Sequence, residues 1–297
     1  MKASSAVGSP AGLPQNALRK LATYASFVKI EHTVFSIPLV LAGALLPHRR
    51  WPNAATLALV LIAAASCRVI GMALNRIIDA AIDARNPRTQ RRELACGAMT
   101  HREAWTVVAV AGLVYVAAAW TLAPICLTLA WIPVVCFAGY PYLKRFTAAA
   151  HLGLGLAWSL APVGGWLAVA KTLDGIGEVG WLWFFSLLWV AGFDIIYATM
   201  DEAFDRREGL HSLPVKMGKK HALQVAVMLH VVAFLSLYAL WRDQFGTIGS
   251  LVWLIATGAA LAWEHIVADR DPEFAFFKLN GAIGFLVFGL VLQGILK

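Results

Sequence analysis

Hydrophobic positions in this chain run together in long blocks. Apolar segments recur at about 33–47, 54–82, 104–122, 123–141, 148–170, 181–200, 221–241, 247–267 and 276–296, separated by short polar links. A helix crossing hydrocarbon needs about 20 mostly apolar residues. The pattern therefore predicts an all-α protein, a polytopic membrane bundle of about nine transmembrane helices. The third and fourth are parted only by a short turn around Pro124. Residues 1–24 are rich in Ala, Ser, Gly and Pro and read as a mobile tail. They do not read as a signal peptide, because no small-residue cleavage site follows a short apolar core. Residues 25–297 then form a single transmembrane domain.

Polar positions break this pattern in two places. At the end of the second apolar segment stands NRIIDAAID, with Asn75, Asp79 and Asp83 spaced four apart. At the end of the sixth stands DIIYATMDEAFD, with Asp194, Tyr197, Asp201 and Asp205 spaced three, four and four. A step of four drifts about 40° around a helix, so each set shares one face. Acids near the middle of a bilayer cost about 2.5–3.5 kcal/mol each on insertion scales and normally face a polar cavity with a partner. Two ladders of like charge repel, so something cationic belongs between them. Mg²⁺ carrying a diphosphate is the obvious candidate.

The charged links supply the rest of such a site. After the first ladder comes ARNPRTQRREL, in which Arg88 and Arg92 lie one turn apart if the segment is helical. Lys144 and Arg145 follow the fourth segment, and Arg206 and Arg207 follow the second ladder. Arginines after a helix also serve as topology determinants facing lipid phosphates, and the acids could simply pair with them. Arg68 lies seven residues before Asn75 on the same face, either in a structural ion pair or as a contact for a substrate anion. Glu31 and His32 read as interfacial residues, and Asn280 as a helix–helix hydrogen bond.

Composition narrows the class. The 297 residues are 60% hydrophobic and 14% charged, against about 45–50% and about 25% in soluble domains. The net charge of +8 then reports topology and anionic lipid more than nucleic acid, for which there is no aromatic-and-basic motif. Lys and Arg concentrate in the links after the second, fourth, sixth and eighth segments, which places those links, the N-terminus and both ladders on the cytoplasmic side. The site would thus open to the cytoplasm, in a bacterium from the inner membrane. The four cysteines show no CxxC and no histidine at zinc spacing. The two ladders, four segments apart, are the one trace of a repeat.

At these residues the chain resembles the UbiA superfamily of intramembrane prenyltransferases, from about residue 25 to its end. Asn75, Asp79 and Asp83 match its first Asp-rich motif, with Arg76 where many members have Asp. Asp194, Tyr197, Asp201 and Asp205 match its DxxYxxxDxxxD motif. Arg88, Thr89, Arg92 and Leu94 match RTxxRxL, and Tyr140, Pro141, Lys144, Arg145 and Thr147 match YPxxKRxT.

The resemblance implies helices around a central cavity, with Mg²⁺ held by Asp79, Asp83, Asp201 and Asp205 and assisted by Asn75. It implies that a polyprenyl diphosphate is bound there, with Lys144, Arg145, Arg88 and Arg92 adding positive charge. Tyr140 and Tyr197 would orient the diphosphate or shield a carbocation. An aromatic acceptor would attack ortho to its hydroxyl, Asp194 would take the ring proton, and Arg68, Arg88 or Lys29 would bind the acceptor's carboxylate. The NRxxD form with NPRT after it is similar to the 4-hydroxybenzoate branch of ubiquinone synthesis. Arg76 and the first-helix entrance KIEHTVF depart from that branch and leave open 1,4-dihydroxy-6-naphthoate, an acceptor of menaquinone synthesis. Haem O synthase and chlorophyll-type enzymes have different motifs around the second ladder. A transporter using paired acids would spread polar residues along a path through several helices, and a structural scaffold would leave the ladders unexplained.

Overall fold

The computed structural model describes residues 15–29 and 33–296, and these fold almost entirely into helices. In chain order they are α1 (Gln15–Val28), α2 (Thr33–Leu45), α3 (Ala54–Asp83), α4 (His101–Leu122), α5 (Pro124–Leu129), α6 (Trp131–Leu143) and α7 (Ala150–Ala170). There follow α8 (Gly180–Ala198), α9 (Glu202–Arg207), α10 (Leu213–Leu240), α11 (Ile248–Ala268), α12 (Pro272–Phe274) and α13 (Asn280–Ile295). Most of the expected tail lies outside the described residues, but from Gln15 the chain is helical in α1. Phe27 of that helix is fully buried among Ala73, Met99 and Ala104. Glu31 and His32 lie outside the described residues, as does Lys297.

Among the described residues, eight helical spans are long and apolar enough to cross a membrane. The expected first crossing is the exception, because α2 has only 13 described residues. The weak boundary near Pro124 is a single extended residue, Ala123, with Pro124 opening α5. Proline suits that place because the first helical N–H has no intrahelical acceptor. The outer faces carry Leu113, Trp120, Leu235, Ile255 and Ile266, all more than half exposed, as expected where the solvent is lipid.

The middle of the bundle is α8, whose Phe185, Trp189, Ile195 and Ile196 are fully buried. It packs against α7 and α10. Elsewhere small residues set the helix spacing. A Cβ on Gly43 would stand 1.9 Å from the Pro162 carbonyl oxygen, and one on Gly165 would stand 2.1 Å from that of Val40. Helices α2 and α7 therefore cross backbone to backbone.

The two ladders sit on different backbones. The first rides the end of α3, an unbroken helix of 30 residues capped at its start by Asn53. The second was expected on one continuous helix and is not. Helix α8 ends at Ala198, Thr199–Asp201 form a tighter 3-10 turn, and α9 carries Asp205. Asp201 leaves helical geometry at φ −104°, ψ 2°. The stretch from Arg85 to Thr100 is a run of turns, so Arg88 and Arg92 do not share a helical face.

Candidate active site

Both ladders open into one polar chamber at the end of the bundle. Asn75, Asp79 and Asp83 line it from α3, and Asp194, Tyr197, Asp201 and Asp205 line it from the broken helix. Arg68, Arg88, Arg92, Tyr140 and Lys144 complete the expected set, and Lys29, Arg91, Asn86 and Glu93 join them. Of the predicted binding residues only Arg145 is absent from the lining. Its guanidinium donates to the Ile78 carbonyl at 2.9 Å and lies over the Tyr142 ring at 4.9 Å, fixing the link after α6 against α3.

Four of the ladder acids, Asp79, Asp83, Asp194 and Asp201, each meet a donor. On α3, Asn75 donates to Asp79 Oδ2 at 3.2 Å across one turn, and Lys144 Nζ reaches the same oxygen at 2.7 Å. Asp83 receives Arg92 Nη1 on both oxygens, at 2.8 and 2.9 Å. Across the chamber, Arg88 clamps Asp201 with Nε at 2.9 Å and with Nη2, while Asn86 Nδ2 adds a third bond at 2.9 Å. The Arg88 guanidinium also lies 4.6 Å from the centre of the Tyr197 ring. Asp194 instead meets the imidazole of His151 at 2.7 Å. The link after α3 thus joins the ladders, with Arg92 on the near one and Arg88 on the far one. Arg85 to Glu208 at 2.8 Å and the His211 amide to the Lys144 carbonyl at 2.7 Å fasten the neighbouring links over the same mouth.

Among the described residues, no three acid, histidine or cysteine side chains converge closely enough to enclose a metal by themselves. The donors are carboxylate oxygens from two walls, and Asp79 Oδ1 is buried with no hydrogen-bond partner. An all-oxygen set of this kind suits a hard cation that keeps part of its shell for substrate phosphates.

Below the polar groups the chamber turns apolar. A second cavity, among α2, α3, α4, α5, α6 and α7, is lined by Val40, Val60, Leu122, Leu129, Ala161 and Leu167. Arg68, Phe137 and Trp158 line both spaces. Arg68 is buried and sits 5.5 Å from the Trp158 ring centre, a contact between a cation and an aromatic face.

Several partners were invisible to sequence reasoning. Glu93 is the acid of an otherwise basic link, and it pairs in the interior with Arg76 at 3.2 Å. It also receives the Ser26 hydroxyl from α1. The arginine that departs from the first motif therefore has its own carboxylate, seventeen residues on. His151 follows the YPxxKRxT element and has no motif signal of its own. Glu264 interrupts an apolar helix, which was a usable signal. It is fully buried, 2.8 Å from Asn280 Nδ2 and 3.5 Å from His230 Nδ1. Asn280 in turn accepts from Trp189 Nε1 at 2.7 Å, and His265 meets His230 at 2.9 Å. The expected helix–helix role of Asn280 holds, in a network joining α8, α10, α11 and α13.

The fold and chamber define a multi-pass membrane protein with acids and cations gathered at one mouth of an apolar bundle. The chain belongs to the UbiA prenyltransferase family, whose model matches residues 36–288. It is 30% identical over 226 residues to a protein of Coxiella burnetii named 4-hydroxybenzoate octaprenyltransferase, covering 74% of this chain and 77% of that one. Among solved structures it is similar to the apo UbiA homologue from Aeropyrum pernix K1, with 34% identity and a TM-score of 0.80, over 87% of this chain and 96% of that one. It shares the fold of an Archaeoglobus fulgidus UbiA homologue solved with GPP and Mg²⁺, at 17% identity and a TM-score of 0.71, covering 91% and 99%.

Proposed function

We propose that this membrane prenyltransferase moves an isoprenoid chain from a polyprenyl diphosphate onto the ring of a hydroxyaromatic acid, 4-hydroxybenzoate first among them, in quinone synthesis. The observation that carries this is the pair of acid ladders facing one chamber with Arg88, Arg92 and Lys144 between them. Relatives named for octaprenyl transfer to 4-hydroxybenzoate and a structural neighbour holding GPP and Mg²⁺ support it. The domain, 25–297, works in the inner membrane with its mouth on the cytoplasmic side, where both diphosphate and Mg²⁺ are supplied; the basic links argue for this orientation.

Asp79 and Asp83 from one ladder, and Asp201 and Asp205 from the other, with Asn75 assisting, are the residues to hold Mg²⁺. Bound there, Mg²⁺ neutralises the charge that builds on the leaving diphosphate. The chain's own cations have a matching part. Lys144, Arg88 and Arg92 each neutralise a carboxylate here, and with metal on those carboxylates they would be available to phosphate oxygens. Tyr197 and Tyr140 offer ring faces beside the breaking allylic bond. The apolar cavity beyond Arg68, Phe137 and Trp158 takes the isoprenoid tail. Arg68, with Lys29 at the mouth, is placed to meet the acceptor's carboxylate. Asp194 accepts the ring proton.

The direct test is a product assay. Membranes holding the protein receive an isoprenoid diphosphate, Mg²⁺ and either 4-hydroxybenzoate or 1,4-dihydroxy-6-naphthoate, and the lipid extract is analysed by mass spectrometry. Prenylated hydroxybenzoate, lost with EDTA and regained with Mg²⁺, is the expected result. A prenylated naphthoate alone would move the protein to menaquinone synthesis. Neither product from folded protein would overturn the reading.

A further inference from the structure

The ladder acids differ in what holds them. Asp79, Asp83 and Asp201 meet the basic side chains of Lys144, Arg92 and Arg88. Asp194 meets His151, whose Nδ1 lies 2.7 Å from Asp194 Oδ2. The imidazole is buried at 4% exposure in the first turn of α7. Its other nitrogen, Nε2, receives the Leu213 backbone N–H at 3.3 Å. An amide N–H cannot accept a hydrogen bond, so Nε2 presents its lone pair and the ring proton sits on Nδ1, pointed at Asp194. The hydrogen-bond geometry on its two nitrogens therefore makes His151 a neutral donor to Asp194.

Asp194 thus takes its hydrogen bond from a neutral donor, where Asp79, Asp83 and Asp201 take theirs from basic side chains. The Asp194 side chain is also the more open one, 24% exposed against 4% for Asp79 and 8% for Asp83. We propose that His151 is a positioning residue for ring deprotonation: its neutral Nδ1–H fixes Asp194 Oδ2 and leaves Oδ1 to the substrate. This rests on the prenyl-transfer reading above. In that reaction the allylic C–O bond breaks and its electron pair leaves with the diphosphate. The ring's π electrons form the new C–C bond. The C–H bond at that ring carbon then breaks, its electron pair restores the aromatic ring, and the proton goes to Asp194.

The test uses the full-length protein in membranes with isoprenoid diphosphate, Mg²⁺ and 4-hydroxybenzoate, unlabelled or deuterated at both ring positions beside the hydroxyl. Turnover is measured in parallel with each. Wild type should show equal rates, because rearomatisation follows bond formation quickly. His151→Leu should lose about tenfold to a hundredfold in turnover, in the range of a mispositioned base, and should turn over the deuterated acceptor more slowly. His151→Asn puts an amide N–H where Nδ1–H stood and should recover most of the rate and the equal rates. His151→Gln reaches toward Leu213 instead and should behave like leucine, which keeps the test open if the leucine variant does not fold. Equal rates with both acceptors in folded His151→Leu or His151→Gln, or asparagine no better than glutamine, would overturn the proposal. A wild type that releases no diphosphate and makes no product would instead remove the prenyl-transfer reading itself.

Discussion

The two acid ladders are alike in sequence and unlike in mechanics. The first stands on an unbroken helix of 30 residues, and its acids pair with Lys144 and Arg92. The second crosses from α8 through a 3-10 turn into the short α9. Its Asp201 takes its partners, Arg88 and Asn86, from the link that follows the first ladder. One ladder is thus a fixed platform and the other is a jointed arm tied to it. The chamber thus has one wall on a continuous helix and one wall on a broken one. The lesson is that equal spacing in sequence specifies which side chains share a chamber without specifying how stiffly each is held.

The sharpest way to break the comparison is to remove one acid from each wall. Asp79→Asn and Asp201→Asn should each lower turnover by about a thousandfold or more, since both are asked to hold the charge of the leaving group. Product formation by purified, folded protein measures this, and either variant keeping a tenth of wild-type turnover sinks the metal assignment. Next comes Lys144→Met. It strands the nearly buried Asp79 and should cost about 3 kcal/mol of stability, besides raising KM for the isoprenoid diphosphate. Adding Asp79→Asn should return much of the thermal stability and none of the activity. An unchanged KM takes Lys144 out of the site.

Arg88→Gln tests the tie between platform and arm. We expect about a tenfold rise in KM, comparable to one lost charge-assisted contact, and faster amide exchange in both 84–100 and 199–212. Arg92→Gln, which lets go of the stiff wall only, should quicken exchange in 84–100 and leave 199–212 unchanged. Identical exchange patterns for the two variants would erase the distinction. The smallest effect belongs to Arg145→Gln. Its contacts are the Ile78 carbonyl and Tyr142, so stability should fall by about 1 kcal/mol with KM for the diphosphate within about twofold of wild type.

The sequence carried the ladders because helical spacing is local. Asn75, Asp79 and Asp83 had to share a face once the segment was a helix, and the chamber collects the predicted site residues except Arg145, Arg206 and Arg207. Charge alone could not place Arg145. Being adjacent to Lys144 puts it in the same link but does not turn its side chain the same way. The break at Thr199–Asp201 left no mark, since TMD contains neither glycine nor proline. The partners were the least legible part. Glu93 finds Arg76 across a run of turns, and His151 finds Asp194 across two helices, and no periodicity reaches that far. Glu264 was legible in principle, as an acid within an apolar helix.

The Glu264 network has a consequence for how the bundle can move. Hydrogen bonds run from Trp189 to Asn280 to Glu264, and His230, seated against Gly192 of α8, bonds the Trp189 carbonyl. In hydrocarbon no water stands ready to replace a broken link, so sliding any one of these helices would strand a polar group at a cost of several kcal/mol. Helices α8, α10, α11 and α13 are therefore cross-braced like a truss. On the opposite side, α2 and α7 cross backbone to backbone at Gly43 and Gly165. The C-terminal helices thus form a frame whose geometry is fixed by polar links rather than by packing alone.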